Sequence, residues 1–104
     1  MLYDKRWELD KTGKVLDAAA DYIGEHGWCQ FDICDDFGRV CALGAIARVT
    51  TDSMYSVFER LDRYMALLKP RTSGARAPGI VEWNDMVGRT QEEVVALLRG
   101  AARA

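Results

Sequence analysis

Cys41–Val49, reading Cys-Ala-Leu-Gly-Ala-Ile-Ala-Arg-Val, decides the fold. It is apolar almost all round, and a helix without a polar face belongs inside a core. Ala42, Gly44, Ala45 and Ala47 carry little or no side chain, so other helices can approach it closely. The remaining elements must then wrap around this segment as a buried central helix.

Upstream, Asp10 to His26 places Val15, Leu16, Ala19, Tyr22 and Ile23 at helical spacing, with Lys14, Asp17, Asp21 and Glu25 on other faces. Gly27 is a C-terminal stop. Gly13 and Gly24 each weaken this helix by about 1 kcal/mol relative to Ala. Gln30-Phe31-Asp32-Ile33-Cys34 alternates polar and apolar, Asp35 to Gly38 has turn chemistry, and Arg39-Val40 resumes an extended pattern. The pattern predicts a two-stranded hairpin whose apolar side, Phe31, Ile33 and Val40, lies on a helix.

Downstream, Thr50, Thr51 and Asp52 offer caps for a helix whose Met54, Val57, Phe58, Leu61, Met65 and Leu68 form the cleanest stripe in the chain. Tyr55, Tyr64 and Leu67 widen that stripe beyond one core face, which fits a homodimer. Both prolines, Pro70 and Pro78, lie in the segment 69–79, which has no apolar period and carries Lys69, Arg71 and Arg76 without an acid. It reads as a flexible basic loop. Ile80 to Asp85 suits a helical turn, and Thr90-Gln-Glu-Glu93 is a capping box for a last helix with Val94, Leu97, Leu98 and Ala101 facing inward. The fold class is therefore mostly α with a small β element (α+β): about four helices, one short hairpin, and a single domain over residues 1–104.

Composition agrees. The 104 residues suffice for one core burying about 65% of the unfolded surface, without metal or disulfides. The chain is 49% hydrophobic and 29% charged, the profile of a globular domain. A net charge of -2 and a pI near 5.3 speak against bulk affinity for nucleic acid or an anionic membrane. No run reaches the ~20 apolar residues of a membrane span, and the opening residues lack a secretory pattern. An odd count of three cysteines fits reduced thiols. The expected location is the cytoplasm.

Gly27-Trp28, Asp36-Phe-Gly-Arg-Val-Cys-Ala-Leu-Gly-Ala-Ile46, Val81-Glu-Trp-Asn-Asp85 and Gly88-Arg-Thr-Gln-Glu-Glu-Val94 together resemble an uncharacterised domain family of small bacterial and phage proteins. The resemblance covers most of the chain from Trp28 onward, outside the helix at 54–68 and the basic loop. It implies no activity, ligand or catalytic set, so function must be argued from the residues.

Three chemistries are open to them. Trp83, Asn84 and Asp85 join an aromatic platform to an amide and a carboxylate just before Arg89 and a helix N-terminus. With Trp28 and Arg39 of the hairpin they suit a partner protein or a small polar, nucleotide-like ligand. The plainer reading has Trp83 closing the core and Arg89 bridging to a nearby carboxylate. Alternatively, Cys41 at a helix start has the dipole and free amides that favour a thiolate nucleophile, with His26 as base and Asn84 or Asp85 orienting it. That set would make a small cysteine-dependent hydrolase or transferase; equally, Cys41 is a packed thiol. Thirdly, His26, Cys29, Cys34 and Cys41 supply four zinc-ligand types, but their spacing is not the paired one of zinc knuckles. Buried thiols are the simpler account, and no metal or cofactor is required. Asp36-Phe37-Gly38 lacks the other kinase motifs and is a turn, and the basic loop has no phosphate-loop spacing. The leading expectation is a non-catalytic binding module.

Overall fold

The computed structural model describes residues 8–50, 54–68 and 79–104. The basic loop apart from Gly79, and the cap candidates Thr51 and Asp52, lie outside the described residues. Five helices follow in order: α1 Lys11–His26, α2 Ala42–Val49, α3 Tyr55–Leu68, α4 Ile80–Asn84 and α5 Gln91–Ala102. The expected four become five because the turn at 80–85 completes a short helix of its own.

Helix α1 is the hub, packing mainly on α5 and α2 and also on α3. Leu16, Ala19, Ala20 and Ile23 point into the core, where they meet Ala42, Ala45 and Ile46 of α2. Only Ala47 and Arg48 of α2 are exposed. The α3 stripe contributes Val57, Leu61 and Met65, while Leu68 at its end is exposed. Helix α5 brings Val94, Leu97, Leu98, Ala101 and Ala102, and starts with the capping box in which Thr90 and Glu93 exchange hydrogen bonds. Gly13, costly for helix propensity, sits where α1 crosses α5: a Cβ there would lie 2.5 Å from the Ala102 carbonyl oxygen. Close approach explains the residue.

Asp17 departs from the surface position its pattern suggested. It is fully buried at the α1–α5 contact, and accepts hydrogen bonds from Arg99 and Arg103, each at 2.9 Å. Arg99 also reaches Asp21 at 2.8 Å. Burial pushes the Asp17 carboxyl up, but the hydrogen bonds from Arg103 and Arg99 outweigh it and hold the group below the usual range.

The hairpin is not formed. Among the described residues there is no sheet, only two isolated bridges on either side of Val40, parallel to Trp28 and antiparallel to Cys34. The turn at Asp35 to Gly38 is present, with the Gly38 amide donating to the Asp35 carbonyl. What fails is the incoming strand. Phe31 adopts a left-handed conformation at φ 66°, which reverses the chain where a strand must stay extended. Consequently the three do not form one buried face as the alternation predicted: only Val40 is buried, Ile33 rests against Gly44 of α2 yet stays exposed, and Phe31 faces solvent.

Candidate functional site

The 28–40 segment is held in place by α4. Asn84, fully buried, is the fastening point: its Oδ1 accepts from Trp28 Nε1 at 2.7 Å and from the Ala42 amide at 3.0 Å. Its Nδ2 donates to the Cys29 carbonyl and to Asp85 Oδ1. The side chain thus uses all of its principal hydrogen-bonding capacity on protein groups. Gln30 adds donations to the Asn84 and Met86 carbonyls, each at 3.0 Å. The Phe31 amide donates to Asp85 Oδ1 at 2.9 Å, and Asp32 Oδ1 accepts from the Ile33 amide. Together these bonds fix the left-handed residue, a conformation that costs a non-glycine about 1 kcal/mol or more.

On the other side the segment rests on α2. The Ile33 carbonyl accepts from the Cys41 amide at 3.2 Å, and lies so close to Gly44 that a Cβ there would be 2.2 Å away. The small residue in the Ala-Leu-Gly-Ala run therefore admits this loop.

The result is a shallow groove of about 240 Å³ between the segment, the start of α2 and α4. Phe31, Ile33, Leu43 and Val81 form its apolar walls, with Cys41, Asp32 and Asp85 completing the lining. Phe31 is 75% exposed, Ile33 57% and Val81 46%. Beyond Phe31 and Asp32 lies a polar groove of about 450 Å³ with Trp28, Cys29, Gln30, Asp35 and Arg39. Its polar groups bind one another: Arg39 pairs with Asp35 and lies 5.3 Å from the Phe37 ring centroid. Desolvation raises the Asp35 carboxyl, but hydrogen bonds from Arg39 and the Phe37 amide prevail and hold it low.

The expected binding residues are divided. Trp28, Asn84 and Asp85 meet in the network above, with Arg39 lining the polar groove. Trp83 and Arg89 form a separate unit, with the guanidinium 3.7 Å from the Trp83 ring centroid and Nε donating to the Trp83 carbonyl at 2.9 Å. Arg89 also reaches Glu93, which the capping box already holds. Trp83 and Glu93 line a third groove, of about 250 Å³, with Tyr64, Leu68, Ala96 and Leu97, and none of these residues lines either of the first two.

The cysteine chemistry is likewise divided. Cys41 is the N-cap of α2, 5% exposed, its Sγ accepting from the Gly44 amide at 3.3 Å. It shares the apolar groove with Asp85. His26 does not line that groove; it stacks on Tyr22 with centroids 4.0 Å apart, and its Nδ1 is 3.1 Å from the Tyr22 carbonyl. Cys29 lies 3.4 Å from two carbonyl oxygens, and burial pushes its thiol up to about 11, with nearby Asp35 adding to the rise. Among the described residues no three His, Cys, Asp or Glu side chains gather to hold a metal ion, so His26, Cys29, Cys34 and Cys41 do not assemble a zinc cage. All three cysteines are free thiols, and no described helix is long and apolar enough to cross a membrane.

The sequence profile of one family matches residues 9–104, covering all five helices. The chain belongs to DUF6197, a family of unknown function. No curated protein and no solved structure matches it. The groove residues missed by sequence reasoning are Phe31, Asp32, Ile33, Leu43 and Val81: the four apolar ones carried only an ordinary apolar signal, and Asp32 only the polar step of a strand-like alternation.

Proposed function

We propose that this DUF6197 chain is a non-catalytic binding module that docks a partner protein through the groove walled by Phe31, Ile33, Leu43 and Val81. The observation that carries the reading is Phe31, a large apolar side chain that is both solvent-exposed and held in a left-handed backbone. Strain of this kind persists only where surrounding bonds enforce it, and it clusters at sites of recognition. An exposed aromatic at the rim of an apolar groove is the sort of anchor that interfaces use.

The size of the groove favours a protein over a small ligand. At about 240 Å³ it falls below the roughly 300–1,000 Å³ of sites that engulf a drug-sized molecule. It takes one or two side chains. The larger polar groove supports ligand binding less well, since Trp28, Gln30, Asp35 and Arg39 are already hydrogen-bonded within the protein. A catalytic role for Cys41 has an oriented carboxylate nearby but no histidine in the same groove. A reducing, cytoplasmic setting suits the three free thiols.

The test is recovery of bound proteins by the native chain and by Ile33→Ser combined with Val81→Ser, with circular dichroism confirming the fold of both. Proteins retained by the native chain and lost by the groove variant are the expected result. Identical recovery by the two chains overturns the reading.

A further inference from the structure

We infer that the partner segment is cationic as well as apolar: a short stretch of chain that seats an aliphatic or aromatic side chain beside Phe31 and places Lys or Arg over Asp32 and Asp85. The inference rests on the proposed binding role of the groove and adds the chemistry of its occupant.

Charge complementarity carries it. Among the described residues the groove lining contains two carboxylates and no cation. Asp32 uses Oδ1 for the Ile33 amide, and Asp85 uses Oδ1 for Phe31 and Asn84, so in each the second oxygen has no protein partner among the described residues. The described cations nearest the groove, Arg39 and Arg48, are engaged elsewhere. Arg39 pairs with Asp35, and Arg48 donates to Cys34 Sγ at 3.7 Å. Apolar walls beside uncompensated carboxylates attract a segment in which a cation neighbours a hydrophobic residue, and disfavour an acidic one by like-charge repulsion. Phe31 and Asp32 line both the apolar and the polar groove, so a segment crossing this ridge meets the ring and the carboxylate in succession.

The probe is a displayed library of random short linear peptides, selected on the whole native chain and then counter-screened on the folded Ile33→Ser/Val81→Ser variant, which removes apolar wall without changing charge. Selected sequences are expected to lose binding to that variant and to be enriched in Lys or Arg adjacent to Leu, Ile, Phe or Trp. For a selected peptide, Asp32→Asn is expected to weaken binding about threefold, within the range of a partly exposed ion pair, and raised salt to weaken it further. Groove-dependent peptides without cation enrichment, or indifferent to Asp32→Asn, overturn the cationic inference and leave the binding face standing. No groove-dependent peptide at all overturns both. Sedimentation of the free chain supplies the remaining arm: a dimer that Val81→Glu dissociates makes a second copy the occupant and also overturns the inference.

Discussion

The α1–α5 contact and the seat of the 28–40 segment on α4 are both fastened by polar side chains, yet one closes a surface and the other leaves one open. Between α1 and α5, Asp17 is fully buried beneath two arginines, in a contact whose Leu16, Ala20, Leu98 and Ala101 are themselves buried in the core. The arginines seal the edge of a contact that burial already holds together. At the other end, Asn84 and Asp85 hold a loop that is anchored in the core by Trp28, Cys34 and Val40 but whose Phe31, Ile33 and Phe37 side chains are exposed. Between those anchors, hydrogen bonds replace apolar packing. Helix-on-helix burial makes the scaffold, and a bonded loop on top of it is free to present Phe31 and Ile33.

Removing the fastening point should have the largest effect. Asn84→Ala leaves the Ala42 amide, Trp28 Nε1 and the Cys29 carbonyl without their partner. With each buried unsatisfied group costing about 1–3 kcal/mol, and partial rehydration of Trp28, the expected loss is about 3 kcal/mol by urea denaturation. A loss under about 1 kcal/mol would mean the loop is held by packing after all, and the contrast between the two regions would collapse.

Asp17→Asn comes next. It removes the charge under Arg99 and Arg103, which are 38% and 48% exposed and so can turn to water. Breaking a fully buried ion pair costs about 3–5 kcal/mol. Because these arginines can rehydrate, about 2 kcal/mol is expected here, again by denaturant titration. A cost equal to or above that of Asn84→Ala would reverse the assignment of burial to one region and hydrogen bonding to the other.

Phe31→Gly has the opposite sign. Glycine adopts the left-handed conformation freely, and little burial is lost from a ring already 75% exposed. The variant should be more stable than the native chain by about 0.5–1 kcal/mol while binding groove-directed peptides less well. Destabilisation would show that the ring supports the fold and is not held out for recognition.

These regions also differ in how far the sequence discloses them. The scaffold helices follow from local signals: the α5 stripe, the Thr90–Glu93 box and the small residues of α2 act over a few positions. The reversal at Phe31 is caused by Asp85, 54 residues away, so the alternation from Gln30 to Cys34 pointed to a strand that tertiary bonds prevent. The burial of Asp17 has the same origin, since its partners lie 82 and 86 residues on. Its only trace was the matched spacing of Asp17 with Asp21 and Arg99 with Arg103. Asn84 and Asp85 stood out as polar residues beside Trp83, but whether they face a ligand or hold a loop depends on what folds against them.

The smallest expected effect concerns a carboxylate at the scaffold edge, Asp10, which caps α1 by accepting from the Gly13 amide at 2.8 Å and pairs with Arg60 of α3. The Arg60 hydrogen bond, with the Gly13 amide second, lowers its pKa from 3.8 to about 2. A carboxyl depressed in the folded state contributes stability above its unfolded pKa and loses it as pH falls through the folded value, so the window is about pH 4 to 2. The side chain is 58% exposed, and screening keeps the contribution below about 1 kcal/mol. Asp10→Asn retains a capping oxygen and loses the charge. Its stability should therefore fall less steeply than that of the native chain between pH 4 and 2, and the two should converge near pH 2, in thermal melts at low salt. The slope that remains belongs to other depressed carboxyls, Asp17 among them, held low by Arg99 and Arg103. Parallel curves for the two proteins would mean that Arg60 does not sense the Asp10 charge, and that α3 is joined to α1 by apolar contact and the Thr12–Ser56 hydrogen bond.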